Sequence, residues 1–322
     1  MAKSKTALIG IDLGGSNIYS VAFDSDFHPI LEDKIDTEAK EGYSHVIARL
    51  KDQIARLESG LVEKGFVLHA IGLGVPGVVS SGSDMVKIAP NLRWENVRPL
   101  ADLGLLIRKD LKVRLVNDVN AGLMGELTVV TPQPRIVVAY FCGTGIGGAL
   151  ALDGKLVLGR DGGAGEVGHM VVQEGGRLCG CGREGCLEAY AGKWALNRRI
   201  SRALKIGKKT ALRDIIKYNL KKTPIKSSSL KKGYEMQDRF TCVLMNEYYS
   251  KYLALGISQS VNLLNPDMVV LGGGMIEAMG QKLLPHIMRH LALHSLNSLP
   301  TLRLAELGDL AGPLGAARLA AG

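Results

Sequence analysis

Three glycine-rich turns, each following an apolar run of strand type, constrain this chain more than any other feature. They are Asp12-Leu13-Gly14-Gly15-Ser16-Asn17 after TALIGI, Gly143-Thr144-Gly145-Ile146-Gly147-Gly148 after IVVAYFC, and Gly272-Gly273-Gly274 after PDMVVL. Runs with few polar breaks suit strands covered on both faces, and such strands belong to sheets flanked by helices. The segments between them carry helical periodicity, as in SHVIARLKDQIARLESGLVEKG, and further strand-like runs occur at AIGLGVPGVV and VRLVNDVNAG. This alternation predicts an α/β protein. With 322 residues, 46% of them hydrophobic, the chain can fill two cores. The expected division is a small N-terminal α/β domain over residues 1–118 and a larger one over 119–309, with a C-terminal helix at about 310–322 packing back on the first.

Glycine allows the backbone to approach an anion closely, so that several amides and a neighbouring hydroxyl can converge on phosphate oxygens. None of the three turns has the Walker lysine, and the middle one lacks the acidic strand that a dinucleotide fold requires. Two acids sharpen the reading: Asp12 heads the first turn, and Asp118 follows Asn117 at the end of the strand-like RLV. Carboxylates beside glycine loops suit phosphoryl transfer, which needs amides for the phosphates, a cation to offset their charge and a base for the attacking hydroxyl. Asp118 is also a candidate helix N-cap.

The chain has five cysteines, and three of them, Cys179, Cys181 and Cys186, sit in RLCGCGREGCLEAY with His169 ten residues upstream. One imidazole and three thiols are the donor set of tetrahedral zinc, and four protein ligands leave no open position, so the expected role is structural. Glu166 and Glu188 flank the cluster and are tethered to it. Cys142 and Cys242 stand apart and read as core residues. Few cysteines, an odd number of them and no signal-peptide pattern predict a reducing, cytoplasmic location, and no apolar stretch suits a membrane span. The net charge of +9 is local: residues 193–239 hold 15 Lys or Arg against three acids. The run reads as a solvated helical face or a contact for an acidic surface, and it has no zinc-finger spacing to support nucleic-acid recognition. Within it, KSSSLKKG resembles a flexible tip.

Taken in order, IGIDLGGSN, GLGVPGVV, PNLRW, NDVNAG, GTGIGG, GEVGHM, CGCGREGCLE and VVLGGGM resemble the ROK family of sugar kinases and sugar-responsive repressors, in particular its zinc-containing bacterial glucokinases. The resemblance implies two ribonuclease-H-like domains of the actin-like ATPase and hexokinase superfamily around a central cleft. It implies ATP and magnesium as co-substrate and cofactor, zinc as a structural ion, and transfer of the γ-phosphate to the 6-hydroxyl of glucose. Carried over by position, Asp12 organises magnesium, Gly14, Gly15, Ser16 and Asn17 form one phosphate loop, and Gly143, Thr144 and Gly145 form a second. Gly272, Gly273 and Gly274 lie on the adenosine side. Asp118 is the catalytic base, and Gly77, Asn91, Asn117, Asp118, Glu166, His169 and Glu188 contact the sugar. Ser16 replaces a frequent threonine and keeps its hydroxyl. The same motifs occur in kinases for N-acetylmannosamine, fructose, mannose and N-acetylglucosamine, and they leave open whether polyphosphate can replace ATP. A sugar-sensing regulator is the alternative from another class. The expected partners are the hexose and ATP, with a homodimer or tetramer as the assembly and neither nucleic acid nor membrane.

Overall fold

The computed structural model describes residues 5–80, 83–216 and 225–322. The chain divides into two compact units. The first comprises the chain up to Gln133 together with Leu156–Ala164 and Leu307–Gly322, and the second comprises Pro134–Lys155 and Gly165–Glu306.

The first unit is built on β1 (Lys5–Leu13), β2 (Asn17–Asp24), β3 (Pro29–Asp36), β4 (Phe66–Val75) and a later strand, Lys112–Asn117. A small antiparallel sheet of β5 (Val78–Val79), β6 (Val86–Ala89) and β7 (Trp94–Val97) precedes that strand, which is β8. The main sheet has the order β3-β2-β1-β4-β8, with β1 to β3 an antiparallel meander and β1, β4 and β8 parallel. The helix Tyr43–Glu63 makes the crossover from β3 to β4 and buries Val46, Leu50, Ile54, Leu57 and Leu61, an apolar stripe at helical spacing.

The C-terminal helix Ala311–Ala321 packs on β1, β4 and the helix Asp118–Glu126. Its small side chains let the backbones come very close. A Cβ at Gly10 would land on the Pro313 carbonyl oxygen, and one at Gly72 on that of Ala316. On the other side of the contact, a Cβ at Gly315 would meet the Ala121 carbonyl oxygen. This packing holds Asp118–Glu126 in the first unit, where the buried Glu126 also accepts a hydrogen bond from the Leu307 amide at 2.9 Å. The first unit therefore runs on to Gln133, beyond the division expected near residue 119.

The second unit carries β9 (Ile136–Cys142), β10 (Ile146–Leu152), β11 (Met268–Gly272) and β12 (Thr301–Leu304). They lie in the order β10-β9-β11-β12, with β9 and β10 antiparallel and β9, β11 and β12 parallel. The pattern repeats the β2-β1-β4-β8 arrangement of the first unit. The helix Ser250–Leu264 is fixed to this sheet by the buried Tyr140, whose hydroxyl donates to Gly256 O at 2.9 Å and lies 2.7 Å from Ser260 Oγ. Cys142 is buried in the core, as its sequence context suggests, whereas Cys242 is only half-buried. Within the basic segment 193–239, helices span Lys193–Lys205, Leu212–Ile215 and Ser227–Glu235, while residues 217–224 lie outside the described residues. The stretch KSSSLKKG is therefore not a loose tip: Leu230 and Gly233 are buried and hold it as a helix. No described helix is long and apolar enough to cross a membrane.

Candidate active site

In the first unit the candidate residues collect at the carboxyl ends of parallel strands, the usual location for ligands in sheets of this kind. Asp12 pairs with Gly74 across β1 and β4, Gly74 pairs with Val116 on β8, and Asn117 and Asp118 follow immediately. Strand register thus brings together two acids that are far apart in sequence. Asp12 is half-buried, and desolvation by the surrounding protein raises its carboxyl to about 7. The neighbouring Asp118 and Asp309 carboxylates push in the same direction, while Lys34 opposes them.

The turn Gly14–Asn17 joins β1 to β2 and is closed by Gly14 N donating to Asn17 O at 2.8 Å. Thr37, fully buried, donates its hydroxyl to Gly14 O at 2.6 Å, and its amide donates to Ser16 O at 2.7 Å. The loop's carbonyls are held from below, and Gly15, Ser16 and Asn17 remain exposed. Asn91 packs against this loop: a Cβ at Gly15 would be 3.3 Å from Asn91 Cβ.

Asn117, and not Asp118, caps the helix Asp118–Glu126. Its Oδ1 accepts from Asn120 N at 3.0 Å, and its Nδ2 donates to Gly77 O at 2.9 Å and Asp118 Oδ1 at 3.0 Å. Asp118 is the first helical residue, and its Oδ1 also accepts from Val119 N at 2.9 Å. The two hydrogen bonds orient the carboxylate. Asp12, Gly14 to Asn17, Gly77, Asn91, Asn117 and Asp118 therefore belong to one local structure.

The second unit gathers the remaining candidates in two places. The turn Gly143–Gly145 lies between β9 and β10, with Gly143 N donating to Gly145 O at 3.0 Å. Gly272 ends β11, Gly273 turns the chain with φ +82°, and the helix Gly274–Ala292 begins there. A Cβ at Gly273 would collide with the Cys142 backbone, so the second and third glycine clusters are neighbours. A helix N-terminus beside exposed loop amides is suited to anions.

The second place is the cysteine loop. His169 Nδ1 lies 3.8 Å from Cys179 Sγ, and Cys181 Sγ lies 3.7 Å from Cys186 Sγ. The ligand atoms of all four residues lie within 4.8 Å of one another. A tetrahedron with metal–sulfur bonds of ~2.3 Å has edges of about 3.8 Å, so these separations fit a closed four-ligand metal site. Burial pushes the Cys186 thiol up to about 12, reinforced by its cysteine neighbours, and a bound cation would offset that repulsion. The other ring nitrogen, His169 Nε2, lies 4.0 Å from Glu166 Oε2.

Glu188 connects the two places. Its Oε2 accepts from Ile146 N at 2.9 Å, its Oε1 accepts from Trp194 Nε1 at 3.2 Å, and a Cβ at Gly145 would fall on Oε2. The amides of Lys193 and Trp194 also donate to Gly143 O and Thr144 O, both at 3.2 Å. The second glycine loop is thus bonded to the segment that follows the cysteines and is not independent of it.

The sequence matches the ROK family over residues 8–322. The chain belongs to the ROK family. It is 34% identical to the glucokinase of Thermotoga maritima over 279 residues, 85% of this chain and 84% of that one. Among solved structures, the ROK hexokinase from Thermus thermophilus is similar with 31% identity and a TM-score of 0.78, covering 98% of each chain. A ROK family glucokinase from Streptomyces griseus, solved in complex with glucose and AMPPNP, has 27% identity and a TM-score of 0.80, covering 98% of this chain and 99% of that one. The shared fold is the actin-like ATPase and hexokinase arrangement, with a repeated α/β sheet. In this ROK chain Thr37 and Trp194 lie outside the glycine and cysteine motifs, and each acts through one hydrogen-bonded neighbour: Gly14 O for Thr37 and Glu188 Oε1 for Trp194. A hydroxyl in a turn-rich segment and a tryptophan at the head of a basic helix were the only signals available.

Proposed function

We propose that this protein is an ATP-dependent hexokinase that phosphorylates glucose at the 6-hydroxyl. The observation that carries the reading is the meeting of Asp12, Asp118 and the Gly14–Asn17 turn at the carboxyl ends of β1 and β8. Family membership and the glucokinases among its relatives support the same activity.

Asp118 takes the proton of the 6-hydroxyl as that oxygen attacks the γ-phosphorus, whose bond to the bridging oxygen of ADP breaks, giving glucose 6-phosphate and ADP. Asn117 orients Asp118 through the Nδ2 contact, with Asn117 itself fixed by the helix cap and Gly77 O. Asn91, Glu166, His169 and Glu188 hold the sugar hydroxyls, and Gly77 offers them its backbone. Gly14 to Asn17, Gly143 to Gly145 and Gly272 to Gly274 hold the nucleotide. Asp12 is the group to hold magnesium, and that ion when bound supplies positive charge against the phosphate oxygens. Deprotonated Asp12 suits a cation because its partial burial and the adjacent Asp118 leave its negative charge poorly compensated. His169, Cys179, Cys181 and Cys186 hold a structural zinc, which fixes the loop carrying Glu166 and Glu188. Catalysis then rests on positioning and on charge complementarity, with exclusion of water limiting hydrolysis of ATP.

A coupled assay with ATP across glucose, mannose, fructose, N-acetylmannosamine and N-acetylglucosamine tests the proposal. Glucose should give the highest kcat/KM. A higher value for another hexose reassigns the acceptor, and no turnover with any of them rejects the kinase reading.

A further inference from the structure

The basic segment left unused by the kinase chemistry forms one wall of a groove in the second unit, with a volume of about 1400 Å³. Its lining includes Arg198, Arg199 and Arg202 from the helix Lys193–Lys205, Arg177 and Arg239, and the exposed pair Lys208 and Lys209. These are seven cations, and no Asp or Glu lines the groove. None of the seven has an ion-pair partner among the described residues, although Arg49, Arg56, Arg108 and Arg289 elsewhere in the chain do. No residue of the three glycine turns lines it either.

We infer that this groove is a binding site for an anion made of three or more linked phosphates, separate from the proposed nucleotide site. Seven like charges around one concavity repel one another, and they raise the local concentration of a multivalent counter-anion. Five of the seven are arginines, whose planar donor forks match phosphate oxygens in pairs. Three lie over aromatic rings, Arg199 at stacking distance, 4.0 Å from the Tyr248 ring centroid, Arg177 5.0 Å from that of Tyr190, and Arg198 5.8 Å from that of Trp194. A guanidinium stacked by its face keeps its N–H edge available, and less side-chain freedom is lost when a ligand arrives. A second copy of the same groove is a poor occupant, because an isologous contact would set one cationic surface against another. Trp194 and Phe240 also line the groove and offer ring surface to a nucleobase, so both an inorganic phosphate chain and a nucleoside polyphosphate carry the required chemistry.

The chain has two tryptophans, and Trp94 is buried in the other unit, so a fluorescence change on binding reports Trp194. The full-length, metal-loaded protein is titrated with sodium tripolyphosphate at fixed ionic strength. The expected result is a saturable change that persists in saturating AMPPNP. The apparent Kd should rise at least tenfold in Arg198→Ala/Arg202→Ala and in Lys208→Ala/Lys209→Ala, and it should be unchanged in Lys231→Ala/Lys232→Ala, which remove basic residues outside the groove. Adenosine tetraphosphate binding more tightly than tripolyphosphate identifies a nucleoside polyphosphate, and equal or weaker binding identifies the inorganic chain. The inference is overturned by the absence of a saturable change, by displacement with AMPPNP, by wild-type affinity in both groove variants, or by a polyglutamate peptide that binds as tightly as tripolyphosphate.

Discussion

Replacing Asp12 by Asn should stabilise the protein at alkaline pH in the absence of magnesium, while impairing its activity. In the folded state burial raises the carboxyl from 3.8 to about 7, with Asp118 and Asp309 adding to the rise. A group whose folded pKa is raised binds protons more readily in the folded than in the unfolded state. The stability slope with pH is therefore negative between the two values. Below about pH 4 Asp12 is protonated in both states and costs nothing, and above about pH 7 its full penalty applies. The rise from 3.8 to about 7 sets an upper limit of about 4 kcal/mol, and structural relaxation and water entry at this half-buried group reduce the realised figure to about 2 kcal/mol. Asn has the same shape and fits under Gly312, where the Asp12 side chain packs, so no steric loss offsets the gain. Thermal melts of both proteins at pH 4.5 and pH 8 in EDTA-free, magnesium-free buffer should show the variant above the wild type by a Tm difference that is clearly larger at pH 8 than at pH 4.5. Magnesium should then raise the wild-type Tm at pH 8 more than that of the variant. Equal melting at both values of pH, or a variant less stable at pH 8, would refute the burial argument.

Asp118→Asn retains Oδ1 for Val119 N and Asn117 Nδ2 but removes the proton acceptor, so kcat should fall by about 10²–10⁴-fold with glucose binding by calorimetry little changed; a kcat within tenfold of wild type contradicts its role as base. Cys181→Ser should lower zinc content by elemental analysis and reduce kcat/KM for both glucose and ATP by roughly 10-fold or more, because Glu188 belongs to the same loop and bonds the second glycine turn. An effect confined to glucose would show that the Glu188 link carries no strain between them. Gly72→Ala places a methyl on the Ala316 carbonyl and should cost about 1–3 kcal/mol in urea denaturation; a variant as stable as wild type would mean that the C-terminal helix does not seat as closely as described.

The α/β alternation, the strand-terminal positions of the glycine turns and the four-donor cluster were legible because each is local. An apolar run, a glycine cluster and a Cys-x-Cys spacing can be read within 20 residues. What escaped depends on contacts distant in sequence. Asp118 in NDVNAG reads as a candidate cap, yet the cap is Asn117, whose Oδ1 accepts from Asn120 N while its amide is held by the Gly77 carbonyl, forty residues upstream. Thr37 matters only because the β2–β3 hairpin returns it beneath Gly14. The end of the first unit was misplaced for the same reason: the helix Asp118–Glu126 carries no mark in its own residues that its packing partner lies near residue 315. The helix Ser227–Glu235 was mistaken for a loose tip because three serines have modest helix propensity, and the burial of Leu230 outweighs it.

The seating of Ala311–Ala321 on β1 and β4 has a consequence for how the polypeptide matures on the ribosome. Domains generally acquire structure in the order in which they are synthesised. Here the first sheet emerges early but lacks the helix that covers one of its faces until residues beyond Glu306 have been made. The second unit, contiguous in sequence apart from Leu156–Ala164, ends at Glu306, before the C-terminal helix is made. The order of maturation should therefore invert the order of translation: residues 134–306 reach protease resistance on stalled nascent chains while Gly10 and Gly72 still await the backbone that will lie across them.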